Sequence, residues 1–138
     1  MTILMLMLIF ALLFGATVLS NTGKAIITNR MRGSGTEPLY VGWGTGAGTA
    51  LVTDVDLFTP SVDEARSTGV STQQTTSVTN DTYQVIGTIT CAANNKTITN
   101  AALFDASSAG NIFMKGDFTG VAVSIGDAIQ FTVKLQFT

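Results

Sequence analysis

The sequence contains no histidine and only one cysteine, Cys91. Histidine is the most common general base and metal ligand of proteins, so its absence removes the usual catalytic and metal-binding chemistry. A single cysteine excludes an internal disulfide and a cysteine-based zinc site. Because Cys91 lies in an alternating run, we expect it to be a small buried residue. We therefore expect no catalytic residues, no metal site and no cofactor.

Charged side chains are also scarce, at 12% of the 138 residues, which is about half the usual share. Three bases and no acid precede Glu37, whereas four bases and nine acids lie from Glu37 onward. This distribution predicts a basic neck, residues 21–37, joined to an acidic body, residues 38–138. An acidic body repels nucleic acid, so we expect no nucleic-acid partner.

A long uncharged run, Ile3–Leu19, fills most of the N-terminal arm, residues 1–20. Its Met, Leu and Ala residues favour a helix as far as about Phe14, and Gly15 then predicts a stop. Thr17 and Val18 favour an extended chain beyond it. Such a run is insoluble on a free monomer, so it must be removed, inserted in lipid or buried against other chains.

Three interpretations of this arm remain open. A signal peptide requires a basic start, which Met1 and Thr2 supply only through the α-amino group. A transmembrane helix requires about 20 apolar residues, and the 17 residues of Ile3–Leu19 are at the lower limit, so a membrane contact through residues 3–19 stays open. We favour burial in an assembly, with no polar partner for the arm in the body. The expected assembly contacts are Leu4, Leu6, Leu8, Phe10, Leu12 and Phe14 of the arm and the basic Lys24, Arg30 and Arg32 of the neck.

The body is dominated by strand patterns. Its C-terminal run alternates between apolar and polar residues, which predicts a strand with one dry face; the apolar positions are Ile129, Phe131, Val133, Leu135 and Phe137. Tyr83–Cys91 has the same period. Six to eight short strands, regularly spaced turns and no amphipathic helix in the body predict an all-β fold, built as an antiparallel β-sandwich or a jelly-roll-like body.

Four further segments carry local predictions. Lys24–Thr28 is typical of a short strand, and Glu64–Val78 predicts an exposed or edge strand. Ala92–Lys96 is typical of a hairpin connection, because Asn-Asn tolerates a positive φ. The glycine run Gly42–Gly48 lacks the Lys-Ser/Thr ending of a phosphate-binding loop, so it predicts a tight turn or close strand packing.

Two groups of side chains are candidate sites. The first consists of four acids whose spacing is not that of an EF-hand, and a solvated loop is favoured there over a calcium site or a glycosidase carboxylate pair; these are Asp54, Asp56, Asp63 and Glu64. The second is Tyr40 with Trp43, which predicts either a contact with a partner or a part of the core.

A family resemblance begins in Ala25–Gly48, which contains TNRMRGSGTEP and then an aromatic strand that ends in GWGTG. Further matching segments are TDVDLFTP (residues 53–60), EAR (64–66), NAALFDA (100–106), KGDFTG (115–120) and GDAIQFT (126–132). Together they resemble a group of small structural proteins of tailed bacteriophages, over roughly Asn21 to the C-terminus. The resemblance implies a virion-associated β protein and brings no catalytic residues.

These observations favour a non-enzymatic virion protein, most simply a capsid decoration (cement) protein on the capsid surface. Its expected partners are copies of itself, with a trimer favoured, and the major capsid protein or another virion protein. One alternative is a tail or fibre component with a receptor-binding role. Another, from a different class, is a membrane-anchored or pilin-like surface protein.

Overall fold

The computed structural model describes residues 14–138, which form two antiparallel sheets and one helix. The elements in chain order are β1 (Phe14–Leu19), α1 (Asn21–Met31), β2 (Tyr40–Gly44), β3 (Ser67–Thr68), β4 (Val70–Gln74), β5 (Thr82–Thr90), β6 (Lys96–Phe104), β7 (Ile112–Val123) and β8 (Ala128–Gln136). One sheet has the order β1-β7-β6-β2-β3, and the other has the order β4-β5-β8. The prediction of an all-β, antiparallel fold is confirmed.

The main core contains side chains from both sheets. On β8, Ile129 and Phe131 are buried, as the alternating pattern predicts, while Gln130 and Thr132 are exposed. The Phe131 ring meets the edge of Trp43 from β2 at a centroid distance of 6.3 Å. Cys91 lies in the same core and is buried, which confirms the expectation for it. Apolar burial of this kind is the main stabilising contribution in a domain of this size.

The segment predicted as a short strand at Lys24–Thr28 is part of helix α1, so that prediction is wrong. The helix begins after Ser20, a buried N-cap whose Oγ accepts a hydrogen bond from the Gly23 N–H at 2.8 Å. Gly23 and Ile26 are the buried residues of the helix, which packs on β7. A good cap and a tertiary contact on one side outweigh the β-preference of the two isoleucines.

The end of the apolar arm is strand β1, an edge strand that pairs with β7. Thr17 and Val18 are extended, as predicted, and Gly15 lies within the strand rather than at a helix end. The expectation of no polar contact with the body is wrong, because the Ala16 N–H donates to Asp117 Oδ1 at 2.9 Å. The predicted helix over the preceding residues and the contacts Leu4, Leu6, Leu8, Phe10 and Leu12 lie outside the described residues.

The predictions for two segments that run between the sheets have different outcomes. Ala92–Lys96 is not a hairpin, because it carries the chain from β5 in one sheet to β6 in the other; Asn94 does adopt a positive φ of 57° there. The polar stretch Glu64–Val78 does form edge strands, as predicted. It forms two of them, β3 and β4, one at the edge of each sheet.

The outer face of the five-stranded sheet is covered by residues 45–66, called the cover loop here. A second apolar cluster lies beneath it, consisting of Leu57, Ala102, Phe104 and Ile112. The glycine run starts this loop, and a Cβ on Gly48 would lie 2.6 Å from the Phe58 ring. The prediction of close packing at the glycines is therefore confirmed.

Candidate assembly surface

Helix α1 and its C-cap residue present the basic residues of the neck to solvent. Lys24, Arg30 and Arg32 are all exposed, and Met31, between the two arginines, is 82% exposed. Within residues 14–138, the ion pairs with carboxylates are formed by Lys96 and Lys115 and not by these three bases. Arg30 donates to the Gly35 carbonyl, a neutral acceptor, at 3.0 Å. The helix and its C-cap therefore expose positive charge.

Strand β1 lies beside this helix and forms one edge of the five-stranded sheet. Its sequence, FGATVL, has no charge and no proline, and it directly continues the uncharged residues 3–13. Soluble proteins usually protect exposed strand edges with lysine, proline or a covering loop, because open edges recruit further strands. β1 lacks the first two of these protections.

The cover loop exposes three large apolar residues close to β1. Leu51 is 56% exposed, Val55 is 74% exposed, and Val52 lies between them. The Val52 carbonyl accepts a hydrogen bond from the Asn21 N–H at 2.8 Å, which holds this part of the loop at the junction of β1 and α1. These side chains are therefore next to the edge strand.

Asp117 on β7 joins the cover loop to β1. Its Oδ1 accepts hydrogen bonds from the Ala16 N–H, at 2.9 Å, and from the Ala50 N–H, at 2.7 Å. Gly15 is required beside it, since a Cβ there would overlap the Asp117 carboxylate. One carboxylate therefore fixes both the edge strand and the start of the exposed apolar patch.

Lys115, also on β7, anchors the same loop from below. It is 1% exposed, and its Nζ donates to Asp54 Oδ2 and to the Asp56 carbonyl, each at 2.8 Å. The ammonium lies 3.2 Å from the centre of the Phe58 ring, a cation–π contact. Burial opposes ionisation of Asp54, but hydrogen bonds from Lys115 and the Leu51 N–H outweigh it, so the pKa of Asp54 is lowered. The Asp54 carboxylate, which lies between the exposed Val52 and Val55 in the sequence, is thus paired with Lys115.

A second set of ion pairs, partly shielded from solvent, holds the other end of the loop. Lys96 Nζ lies 2.7 Å from Asp63 Oδ2 and 2.7 Å from Glu64 Oε1. Glu64 also accepts hydrogen bonds from Trp43 Nε1 and Ser61 Oγ. Burial raises the pKa of Glu64, but these bonds, led by the one from Lys96, outweigh it and bring the value to about 2.

The four acids are therefore placed differently from the solvated loop that the sequence predicts. The prediction is wrong for Asp54 and Glu64, because Asp54 forms an ion pair with Lys115 and Glu64 forms one with Lys96. The sequence gives no signal for these pairs, since Lys96 and Lys115 lie 32 and 61 residues from their partners. Among residues 14–138, no group of three His, Cys, Asp or Glu side chains is arranged to hold a metal ion.

The two aromatic residues for which the sequence leaves a partner contact and a place in the core open differ in burial. Trp43 is buried in the main core, so it is not available to a partner. Tyr40 is partly buried and packs on the second cluster beneath the cover loop. A cavity of about 50 Å³ lies beside Trp43 and Glu64, which is room for about one or two water molecules and too small for an ordinary ligand.

No helix within residues 14–138 is both long enough and apolar enough to cross a membrane.

Comparisons with protein-family models, with curated proteins and with solved structures found no match to this chain.

Proposed function

We propose that the protein is a non-enzymatic structural protein of a bacteriophage virion, and specifically a capsid decoration protein. The observation that carries this proposal is the adjacency of two features along the chain. An uncharged edge strand, β1, continues the apolar residues 3–13 and lies beside the exposed bases of α1. Such a combination is suited to docking on other protein chains, because it combines an apolar segment that needs cover with unneutralised charge.

The partners follow from the same chemistry. The bases of α1 suit an acidic groove on the major capsid protein or another virion protein, and the apolar segment suits contacts with further copies of the chain, with a trimer favoured. The protein would then be located on the capsid surface. The jelly-roll-like connectivity of the sandwich stays a prediction from the sequence.

A membrane-anchored surface protein is a weaker alternative. Phe14–Leu19 is paired to β7, so six residues of the uncharged run Ile3–Leu19 belong to the sheet and not to a membrane helix. A helix that spans the hydrocarbon core needs about 20 residues, and rarely fewer than about 17. The position of β1 therefore favours protein burial over a membrane span.

The test is to label this chain and image the purified parent particle. A decoration protein should cover the shell in copies on the order of hundreds, because icosahedral symmetry repeats each surface site. A tail or fibre component, the second candidate, would appear at one vertex in a few dozen copies at most, by the same order-of-magnitude argument. Purified particles that contain no labelled chain would refute both virion assignments.

A further inference from the structure

Two apolar features meet at the junction of β1 and the cover loop. One is the edge of β1 that pairs with no strand within residues 14–138, and the other is the exposed group Leu51, Val52 and Val55. The Asn21–Val52 backbone bond and the shared acceptor Asp117 hold them side by side. We call this combined surface the docking strip.

The docking strip is built as a rigid surface. Lys115 and Asp117 hold the loop from β7, and the Leu51 N–H donates to Asp54 Oδ2 at 3.1 Å. The one charge within the loop part of the strip, on Asp54, is neutralised by Lys115. An apolar occupant therefore meets preformed side chains, which keeps the ordering cost of binding low.

The chain itself supplies an apolar segment that requires cover, residues 3–13. Eleven residues reach at most about 36–40 Å when extended, whereas the six residues of β1 span about 20 Å. One such segment is thus long enough to lie along the whole of β1 on a neighbouring molecule, with about 16–20 Å left over.

The geometry favours a neighbour's segment over the molecule's own. The chain enters β1 at Phe14, so its own preceding residues would have to reverse direction to lie along the strip. Residues 3–13 contain no Gly, Pro, Asn, Asp or Ser, the residues that favour tight turns. A segment supplied by a second copy needs no such reversal.

We propose that the docking strip binds the apolar residues 3–13 of a second copy of this chain, so that neighbouring subunits are linked by exchanged N-terminal segments. Strand addition at the β1 edge supplies main-chain hydrogen bonds, and Leu51, Val52 and Val55 receive alternate apolar side chains. This inference concerns contacts between copies and does not depend on which surface of a particle the assembly occupies.

A disulfide trap on the full-length chain tests the contact. Cys91 is buried, and burial raises the pKa of its thiol, so the wild-type chain should form no disulfide and serves as the blank. The double variant Leu8→Cys with Val55→Cys should form disulfide-linked chains on mild oxidation. The matched control is Leu8→Cys with Val78→Cys, because Val78 is 68% exposed and lies outside the strip. Digestion and mass spectrometry identify the joined peptides.

The expected result is a link between the peptides of residues 8 and 55 from different chains, formed at least about tenfold more than the link between residues 8 and 78. A disulfide within one chain would overturn the proposal, since the molecule's own segment would then cover the strip. Equal linkage at residues 55 and 78, or none at either, would overturn it as well.

A second measurement uses no cysteine. Leu51→Ser with Val55→Ser should weaken self-association of the purified chain by about tenfold or more, because two apolar contacts are lost from each interface. Val70→Ser with Val78→Ser is the control, since both residues are similarly exposed elsewhere. Oligomer mass from light scattering is the readout, and circular dichroism verifies the fold. An unchanged mass would count against the strip. Because no particle is present, either failure leaves the proposed virion role to the labelling experiment.

Discussion

Two of the seven basic side chains of this charge-poor protein, the buried Lys115 and the partly buried Lys96, are ion-pair partners that hold the cover loop. Lys115 binds Asp54 beneath the exposed apolar patch, and Lys96 binds Asp63 and Glu64 beside Trp43. A buried charge that loses its partner is strongly destabilising. The loop is therefore held by charge at two points and by the small cluster around Leu57 between them.

The lowered pKa of Glu64 predicts a loss of stability in acid. Its value of about 2 in the folded chain lies below the ordinary 4.5, so the ionised carboxylate stabilises the fold above about pH 4.5. That contribution should disappear as the pH falls from about 4.5 to about 2. Urea titrations of the wild type and of Glu64→Gln should thus give a difference in unfolding free energy that is largest at pH 7 and shrinks toward pH 2. A difference that stays constant across this range would contradict the assignment.

Phe131 and Thr132 test the register of β8. Phe131 is buried against Trp43, so Phe131→Ala should lower the free energy of unfolding by about 3–5 kcal/mol. Thr132 is exposed on the other face, and Thr132→Ala should cost less than about 0.5 kcal/mol. Equal losses in denaturant titrations would mean that both faces of the strand are buried, as at a subunit interface.

At the scale of elements, the sequence predicts the strands whose alternation reports burial directly. Ile129 and Phe131 on β8, like Val85 and Ile89 on β5, have period-two burial because the core lies on one side of their sheet. It misses α1 although Ser20 is a local N-cap signal, because the contact of Ile26 with the core is tertiary. Of the candidate assembly surface, the sequence indicates the apolar run and the bases. It cannot place the cover loop, which depends on distant partners on β7.

Gly23 tests the packing of α1 on β7. Alanine normally stabilises a helix by about 1 kcal/mol relative to glycine, but here a Cβ would lie 2.9 Å from Leu19 Cδ1 and closer still to the Phe113 carbonyl oxygen. Gly23→Ala should therefore destabilise the protein, by about 1–3 kcal/mol, because the helix cannot approach the sheet. Ala25→Gly, at an exposed position of the same helix, should cost only about 1 kcal/mol. A stabilised Gly23→Ala protein would show that α1 is free to shift.

The bases of α1 should give docking on the particle a dependence on salt. Exposed charge pairs are screened over about 8–10 Å at moderate ionic strength, so attachment should weaken as salt is added. Arg30→Gln with Arg32→Gln should weaken attachment at low salt and flatten that dependence. Lys134→Gln, which removes an exposed base on β8, is the control and should behave as the wild type. Identical release curves for the wild type and the double variant would show that the bases of α1 take no part in attachment to the particle.

At the scale of the whole molecule, β1 marks the boundary between the residues that belong to the folded unit and the residues that we propose for assembly. Ala16 donates to Asp117, Leu19 packs against the main core, and Ser20 caps α1 while donating to the Ile112 carbonyl. These residues belong to the folded unit even though they continue the apolar run. The predicted assembly contacts at Leu4, Leu6, Leu8, Phe10 and Leu12 precede that unit.

Two truncated chains test this separation. A chain that starts at Phe14 keeps β1, so it should unfold within about 0.5 kcal/mol of the full-length protein while it no longer associates or joins the particle. A chain that starts at Asn21 loses β1 and the Ser20 cap. It should be less stable by at least about 2 kcal/mol, because a cap alone contributes about 1 kcal/mol and the apolar burial of Leu19 adds to it. Denaturant titration measures the stability of each chain, and light scattering with particle binding measures its association.

If the chain that starts at Asn21 were as stable as the one that starts at Phe14, β1 would contribute to assembly and not to folding. If the chain that starts at Phe14 still associated normally, residues 3–13 would have no part in assembly.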